Sequence, residues 1–254
     1  MRFEKFIPQD ALKPYIRHFI ISENTDAHIY KVFPGTDLVI GFQYRGQLAR
    51  LNNGVKTNLT TAGITGLVDR PAVFQHTPDI GTILIFFTAH GLAAFSSCPA
   101  NELFNQSISL EEVFDRQQVT DTKEKLAAAA DDRQRIRVVE QFLLRHLKES
   151  QRDKLVIEAV KLIYASGGHL KISDLQKKLL ISPSALEKRF RRLVGTTPKK
   201  FSSIIRFNNV LKELDQARSL TDLCYEHQFF DQAHFIRDFK QYTGDTPENF
   251  RRFL

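Results

Sequence analysis

The sequence predicts an α+β protein, with a strand-rich N-terminal part and an all-helical C-terminal part. Three observations carry this. Short β-branched and aromatic runs fill the first ninety residues, the apolar period changes after Leu92, and a helical pattern repeats within the last hundred residues.

The runs His28 to Phe33, Asp37 to Tyr44, Ala62 to Val68 and Ile80 to Thr88 read as strands. Turn chemistry at Pro34-Gly35, Arg45-Gly46 and Asn52-Asn53-Gly54 separates them. Some six short strands with frequent glycines suggest a sandwich or a small barrel. Glu124 to Ala130 and Arg133 to Lys148 then have helical composition. In the second, Ile136, Val139, Leu143 and Leu147 form one stripe, expected to pack on the strand domain rather than to form a dimer seam. The charged stretch Lys148 to Lys154 reads as a linker, which places a regulatory domain at residues 1–150 and a second domain at 151–254.

Charge divides at the same place. Residues 1–150 hold 17 Lys+Arg and 17 Asp+Glu, whereas residues 151–254 hold 19 and 12, so the formal net charge of +7 sits wholly in the C-terminal part. Such asymmetry points to a polyanionic partner. No apolar run reaches eighteen residues, and the start of the chain mixes acidic and basic residues, so a cytoplasmic protein is expected. Cys98 and Cys224 stand far apart and outside any C-x-x-C pair, which excludes a disulfide framework and a cysteine-rich zinc site. Cys98 reads as an inert thiol, having no acidifying neighbour in sequence.

The repeat is the most informative feature. Gly195-Thr-Thr-Pro198-Lys-Lys-Phe201 recurs forty-nine positions later as Gly244-Asp-Thr-Pro247-Glu-Asn-Phe250. At that offset Leu186, Phe190 and Leu193 map onto Phe235, Phe239 and Tyr242, each trio spaced i, i+4, i+7 along one helix face. Ser182 and Asp231 are the N-caps expected before these helices. Upstream, Ile172-Ser-Asp-Leu175 matches Leu220-Thr-Asp-Leu223 at an offset of forty-eight, where Ser173 and Thr221 read as further capping residues. Each copy is therefore helix, short turn, helix, then a Gly stop. These are two helix-turn-helix units, at about 172–194 and 220–242.

A helix can enter the major groove when one face packs and the other stays free. In the first unit the free face carries Ser184, Glu187, Lys188 and Arg191, flanked by Arg192. In the second it carries Gln232, Ala233, Ile236 and Arg237. Arg and Lys suit guanine, Glu cytosine, Gln adenine, and Ala or Ile the thymine methyl. Between the units Pro198 to Leu214 reads as one helix, reaching about 25 Å. Successive major-groove faces lie roughly 34 Å apart. Engaging both units is expected to tilt them or bend the DNA, at order 1–6 kcal/mol.

These residues are recognisable. Ser182-Pro-Ser-Ala-Leu-Glu-Lys-Arg-Phe190 with Gly195-Thr-Thr-Pro198, and Phe229-Phe-Asp-Gln-Ala-His-Phe-Ile-Arg-Asp-Phe-Lys240 with Gly244-Asp-Thr-Pro247, resemble the DNA-binding domain of the AraC/XylS family of bacterial transcription regulators. The resemblance implies seven helices, base reading at Ser184, Glu187, Lys188, Gln232, Ala233, Ile236 and Arg237, and backbone contacts at Arg191, Arg192 and Lys240. It implies an activator that touches RNA polymerase. Two positions depart from the family pattern, since Gln228 stands where glycine is usual and Cys224 where alanine is usual. A non-glycine residue at positive φ carries a backbone penalty, so a reshaped or weakened second unit is expected.

The N-terminal part resembles a sensor domain of such regulators over Leu12 to Ile16, Phe33 to Asp37, Phe87 to Phe95, Glu102 to Asn105 and Leu110 to Glu112. This implies a cupin-like barrel that binds a small-molecule effector. The aromatic residues Phe33, Phe42, Tyr44, Phe74, Phe86 and Phe87 read as pocket lining or as plain core, and the effector site stays unnamed. A partner protein in place of a metabolite, or a metal-dependent cupin enzyme fused to a DNA-binding tail, are the alternatives. His18, His28, His76 and His90 form no His-x-His pair, and no Walker, G-x-S-x-G or G-x-G-x-x-G motif occurs. No metal, cofactor or catalytic residue is expected, and no membrane partner. A monomer or a homodimer is expected.

Overall fold

A computed structural model describes residues 1–148, 153–215, 219–229 and 231–252. The core of the predicted linker, at 149–152, lies outside them, as do the 150/151 boundary and Phe230 of the quoted motif.

Among the described residues ten strands form two antiparallel sheets. The larger is ordered β1 (Arg2–Phe6), β2 (Ile16–Asn24), β9 (Ile80–Phe87), β4 (Val39–Arg45), β7 (Ala62–Thr65), β10 (Ser107–Ser109). The smaller is ordered β3 (His28–Val32), β8 (Ala72–His76), β5 (Leu48–Asn52), β6 (Val55–Asn58). All four predicted runs contain strands. Arg2 to Phe6 and Ile16 to Asn24 do not stand out in the sequence, because polar and apolar residues mix in both and their pairing is mutual, Phe6 opposite Phe19.

Side chains alternate across the larger sheet, so Phe19 and Ile21, Ile40 and Phe42, and Ile83, Ile85 and Phe87 share one buried face. Two helices are joined to this core. They are α1 (Arg116–Ala128), which begins eight residues earlier than its sequence signal, and α2 (Asp132–His146). The stripe Ile136, Val139 and Leu143 is buried in the core, and Phe142 meets Phe42 edge-on at 5.8 Å. That stripe is therefore not available as a dimer seam. Nor do the aromatic residues of the strand domain gather around one pocket. Phe42 and Phe87 are core, Tyr44 donates to Glu23, and Phe33 packs on Phe250 of the C-terminal part.

The C-terminal part is helical throughout its described residues. Its helices are α3 (Lys154–Ala165), α4 (Ile172–Leu179), α5 (Pro183–Val194), α6 (Pro198–Glu213), α7 (Leu220–Glu226), α8 (Gln232–Thr243) and α9 (Pro247–Arg252). Caps follow the repeat, because Ser182 accepts from Ala185 N–H, Asp231 from His234 N–H, and Thr197 from Lys200 N–H. Ser173 and Thr221 are not the caps. Both lie one residue inside their helices, Ser219 caps α7, and Lys171 precedes α4 with no side-chain bond.

The two units do not share one core. The first, with Leu175, Leu186, Phe190, Val194 and Phe201, is continuous with the core of the sheet domain. The second has a small core of its own, built from Ile204, Phe207, Val210, Leu214, Leu223, Cys224, Phe235, Phe239 and Tyr242. Helix α6 serves both, turning Phe201 and Ile205 one way and Ile204, Phe207 and Val210 the other. Contact between the domains is close. The 3₁₀ turns Gly91–Ala94 and Ala100–Leu103 lie against α5, and a Cβ on Gly195 would stand 3.0 Å from the Ala100 carbonyl. Asp69 reaches the linking helix and the second unit, pairing with Lys200 Nζ of α6 at 3.3 Å and accepting from Gln241 Nε2 of α8 at 3.4 Å.

Candidate nucleic-acid interface

Each unit presents its second helix, α5 or α8, in the same way. An apolar row anchors it, Leu186, Phe190 and Val194 in α5 and Phe235, Phe239 and Tyr242 in α8. Leu193, placed in the packed row by sequence, is only partly buried and faces a cleft, whereas Val194 is buried. The opposite faces are open. Ser184, Glu187, Lys188, Arg191 and Arg192 are exposed on α5, and Gln232, Ala233, Ile236, Arg237 and Lys240 on α8.

The forty-nine-residue offset pairs these faces one to one. Ser184 corresponds to Ala233, Glu187 to Ile236, Lys188 to Arg237 and Arg191 to Lys240. Both copies thus place a cation at the centre of the face and a second one turn later. Several of these side chains are already engaged. Arg191 pairs with Glu187 at 2.9 Å, and Gln232 donates to Thr221 at 2.8 Å. An exposed i, i+4 pair contributes only about 0.3–0.5 kcal/mol, so Glu187 and Arg191 are free to exchange partners. Arg189 is held more firmly, by two bonds of 2.7 and 2.8 Å to Asp153 at the start of α3. This fixes the orientation of α5 and keeps the Asp153 carboxyl below its usual range, since the bonds from Arg189 and the backbone outweigh the effect of burial.

The turn before each recognition helix is left-handed. Gln228 has φ 50°, as its place in the pattern implied, and Leu180 in the first unit has the same φ. Both turns close alike, Ile181 N–H on Gln176 and Phe229 N–H on Cys224, a helix stop that glycine normally supplies. The second turn gains a support that the sequence does not disclose. Arg206 of α6 lies over the Phe229 ring at 4.3 Å and donates to the Gln228 carbonyl at 3.4 Å. Gln228→Val puts a β-branched side chain at this φ and should cost about 1–2 kcal/mol, read as loss of protection in α7 and α8 by hydrogen exchange.

Behind that turn the His227 and His169 rings approach to 5.9 Å, with the Glu213 carboxylate 2.9 Å from His227 Nε2. Burial, then His227 and Arg206, holds the His169 pKa below its ordinary 6.5. A histidine kept neutral on folding stabilises fully above the unfolded value and loses that contribution as pH falls through the folded value. The melting temperature should therefore drop on acidification below about 6.5, and less steeply in His169→Gln. His18 acts in the same direction.

Among the described residues no group of three His, Cys, Asp or Glu side chains is arranged to hold a metal ion, and no helix is long and apolar enough to cross a membrane. Burial, then Glu102, pushes the Cys98 thiol up.

Two exposed recognition faces on helix-turn-helix units joined by a helix define a class of duplex-DNA-binding proteins. Comparison with known proteins agrees. Residues 175–252 match the family described as a helix-turn-helix domain, and residues 4–109 match a domain of unknown function (DUF6597). The Msm operon regulatory protein of Streptococcus mutans is 29% identical over 157 residues, which are 60% of this chain and 56% of that protein. The match thus spans just over half the length of that relative. Among solved structures, ToxT from Vibrio cholerae aligns over 100% of this chain and 99% of its own, at 9% identity and TM-score 0.48. The AraC-like transcriptional activator CuxR aligns over 87% and 89%, at 14% identity and TM-score 0.30. The C-terminal region thus carries a helix-turn-helix domain of the AraC type, over the same residues that show the resemblance in the sequence.

Proposed function

We propose that the chain is a sequence-specific transcription regulator, in which residues 151–254 bind a promoter and residues 1–150 govern that binding in response to a small effector. The observation that carries this is the exposure of Lys188 and Arg237 at matching repeat positions on two separately packed helices. Ser184, Glu187 and Lys188 read one groove segment, and Gln232, Ala233, Ile236 and Arg237 read the next. Arg191, Arg192 and Lys240 hold phosphates, so affinity is largely electrostatic and falls with salt. The regulator activates from the cytoplasm through contact with RNA polymerase, as the family does.

Selection of duplexes by the full chain from a random-sequence pool tests this. Two enriched segments, each abolished by substitution of one recognition face, support the reading. No preference over random competitor at low salt overturns it.

A further inference from the structure

We propose that the outward face of α2, in the regulatory domain, is a second phosphate-contacting surface that carries the duplex onward from the first helix-turn-helix unit; this rests on the DNA-binding reading above. While Ile136, Val139 and Leu143 face the core, the opposite side of α2 and its C-terminal extension carry Arg133, Arg137, Gln141, Arg145 and Lys148, all exposed. Within the helix Arg133, Arg137, Gln141 and Arg145, at about 100° per residue, fall within roughly a third of the circumference. The carboxylates of the helix itself are engaged elsewhere. Asp132 binds Arg2 and Arg135, and Glu140 accepts from the Gln9 amide N–H at 2.8 Å and from its side chain at 3.0 Å. None of Arg133, Arg137, Arg145 and Lys148 forms an ion pair with a carboxylate among the described residues. Four exposed cations with no carboxylate partner make a face suited to a polyanion.

The position of this face selects which polyanion. Lys148 stands with Arg192 of α5 around one cleft of about 430 Å³ between the domains, where Asp153 is already paired with Arg189, so the row that starts on α2 ends beside the first unit. From Arg133 to Arg145 the helical part of the row extends about 18 Å, near half a turn of duplex, and Lys148 lies beyond it. The overall neutrality of residues 1–150 conceals the row, because its compensating acids lie elsewhere in the domain.

The experiment uses the full chain and the duplex recovered by selection, flanked by non-specific DNA. It compares the unaltered protein with an Arg133→Gln, Arg137→Gln, Arg145→Gln triple variant, glutamine preserving helix propensity. With equal melting temperatures confirming the fold, the slope of log Kobs against log salt should shrink by about 0.9 for each phosphate the variant no longer neutralises. Binding should weaken by the same factor across sequences, and backbone protection should shorten on the side of the first unit only. An unchanged slope and footprint overturn the proposal and leave the DNA-binding reading intact. So does an unchanged slope accompanied by weaker binding to anionic lipid vesicles, which assigns the face to a membrane surface. Failure of the unaltered chain to bind any duplex removes both readings together.

Discussion

Phe190→Ala should destabilise the whole molecule by about 3–5 kcal/mol, whereas Phe239→Ala, at the matching position of the repeat, should unfold only the second unit. Both rings are fully buried, at 0% and 1% exposure, so the transfer and cavity costs are similar. What differs is the core each belongs to. Phe190 meets Phe201 edge-on at 5.5 Å inside the cluster that runs on through α3 and the 3₁₀ turns to the sheet. A cavity there weakens the docking of both domains. Phe239 packs on Phe207 and Phe250 in the small separate core, so its removal acts locally. Calorimetry should show the main transition lowered by Phe190→Ala. Hydrogen exchange should show protection disappearing across 220–252 alone in Phe239→Ala. Equal, global effects of the two substitutions would show that the units fold as one.

Lys188→Ala and Arg237→Ala should each cost about 1–3 kcal/mol in binding to the selected duplex, and each should relax base preference at a single position. The two side chains belong to different units with different cores and share no partner, so the double variant should weaken by close to the sum. That is roughly 2–6 kcal/mol, from thirtyfold to beyond the range of specific binding. Melting temperatures should not move, because both side chains are exposed and outside either core. Titration against the selected duplex and against single-base variants of it checks both the size and the additivity. A double variant no weaker than the worse single one would mean that only one unit engages DNA.

How much of this is legible in the sequence depends on range. The caps at Ser182 and Asp231, the glycine stops and the apolar rows of α5 and α8 depend on neighbours within a few residues, and the sequence displays them directly. So do the candidate base-reading residues, which are what remains of each helix once the packed row is removed. Strands β1 and β2 are not visible there, since their pairing joins residues far apart in the chain and their composition is mixed. Capping by Ser173 and Thr221 is misplaced by two residues, because composition locates a helix start only to within a turn.

Local pattern alone therefore establishes a strand-rich part, a basic helical part and, through the forty-nine-residue repeat, two equivalent helices with open outer faces. Packing in three dimensions makes these equivalent helices unequal in support, one fused to the regulatory domain and one on its own core. It also sets Arg206 beneath the Gln228 turn, brings Asp69 against α6 and α8, and places Lys148 beside Arg192 of α5. The difference arises because periodicity records which face of an element is buried, whereas the identity of what covers it is settled between distant segments.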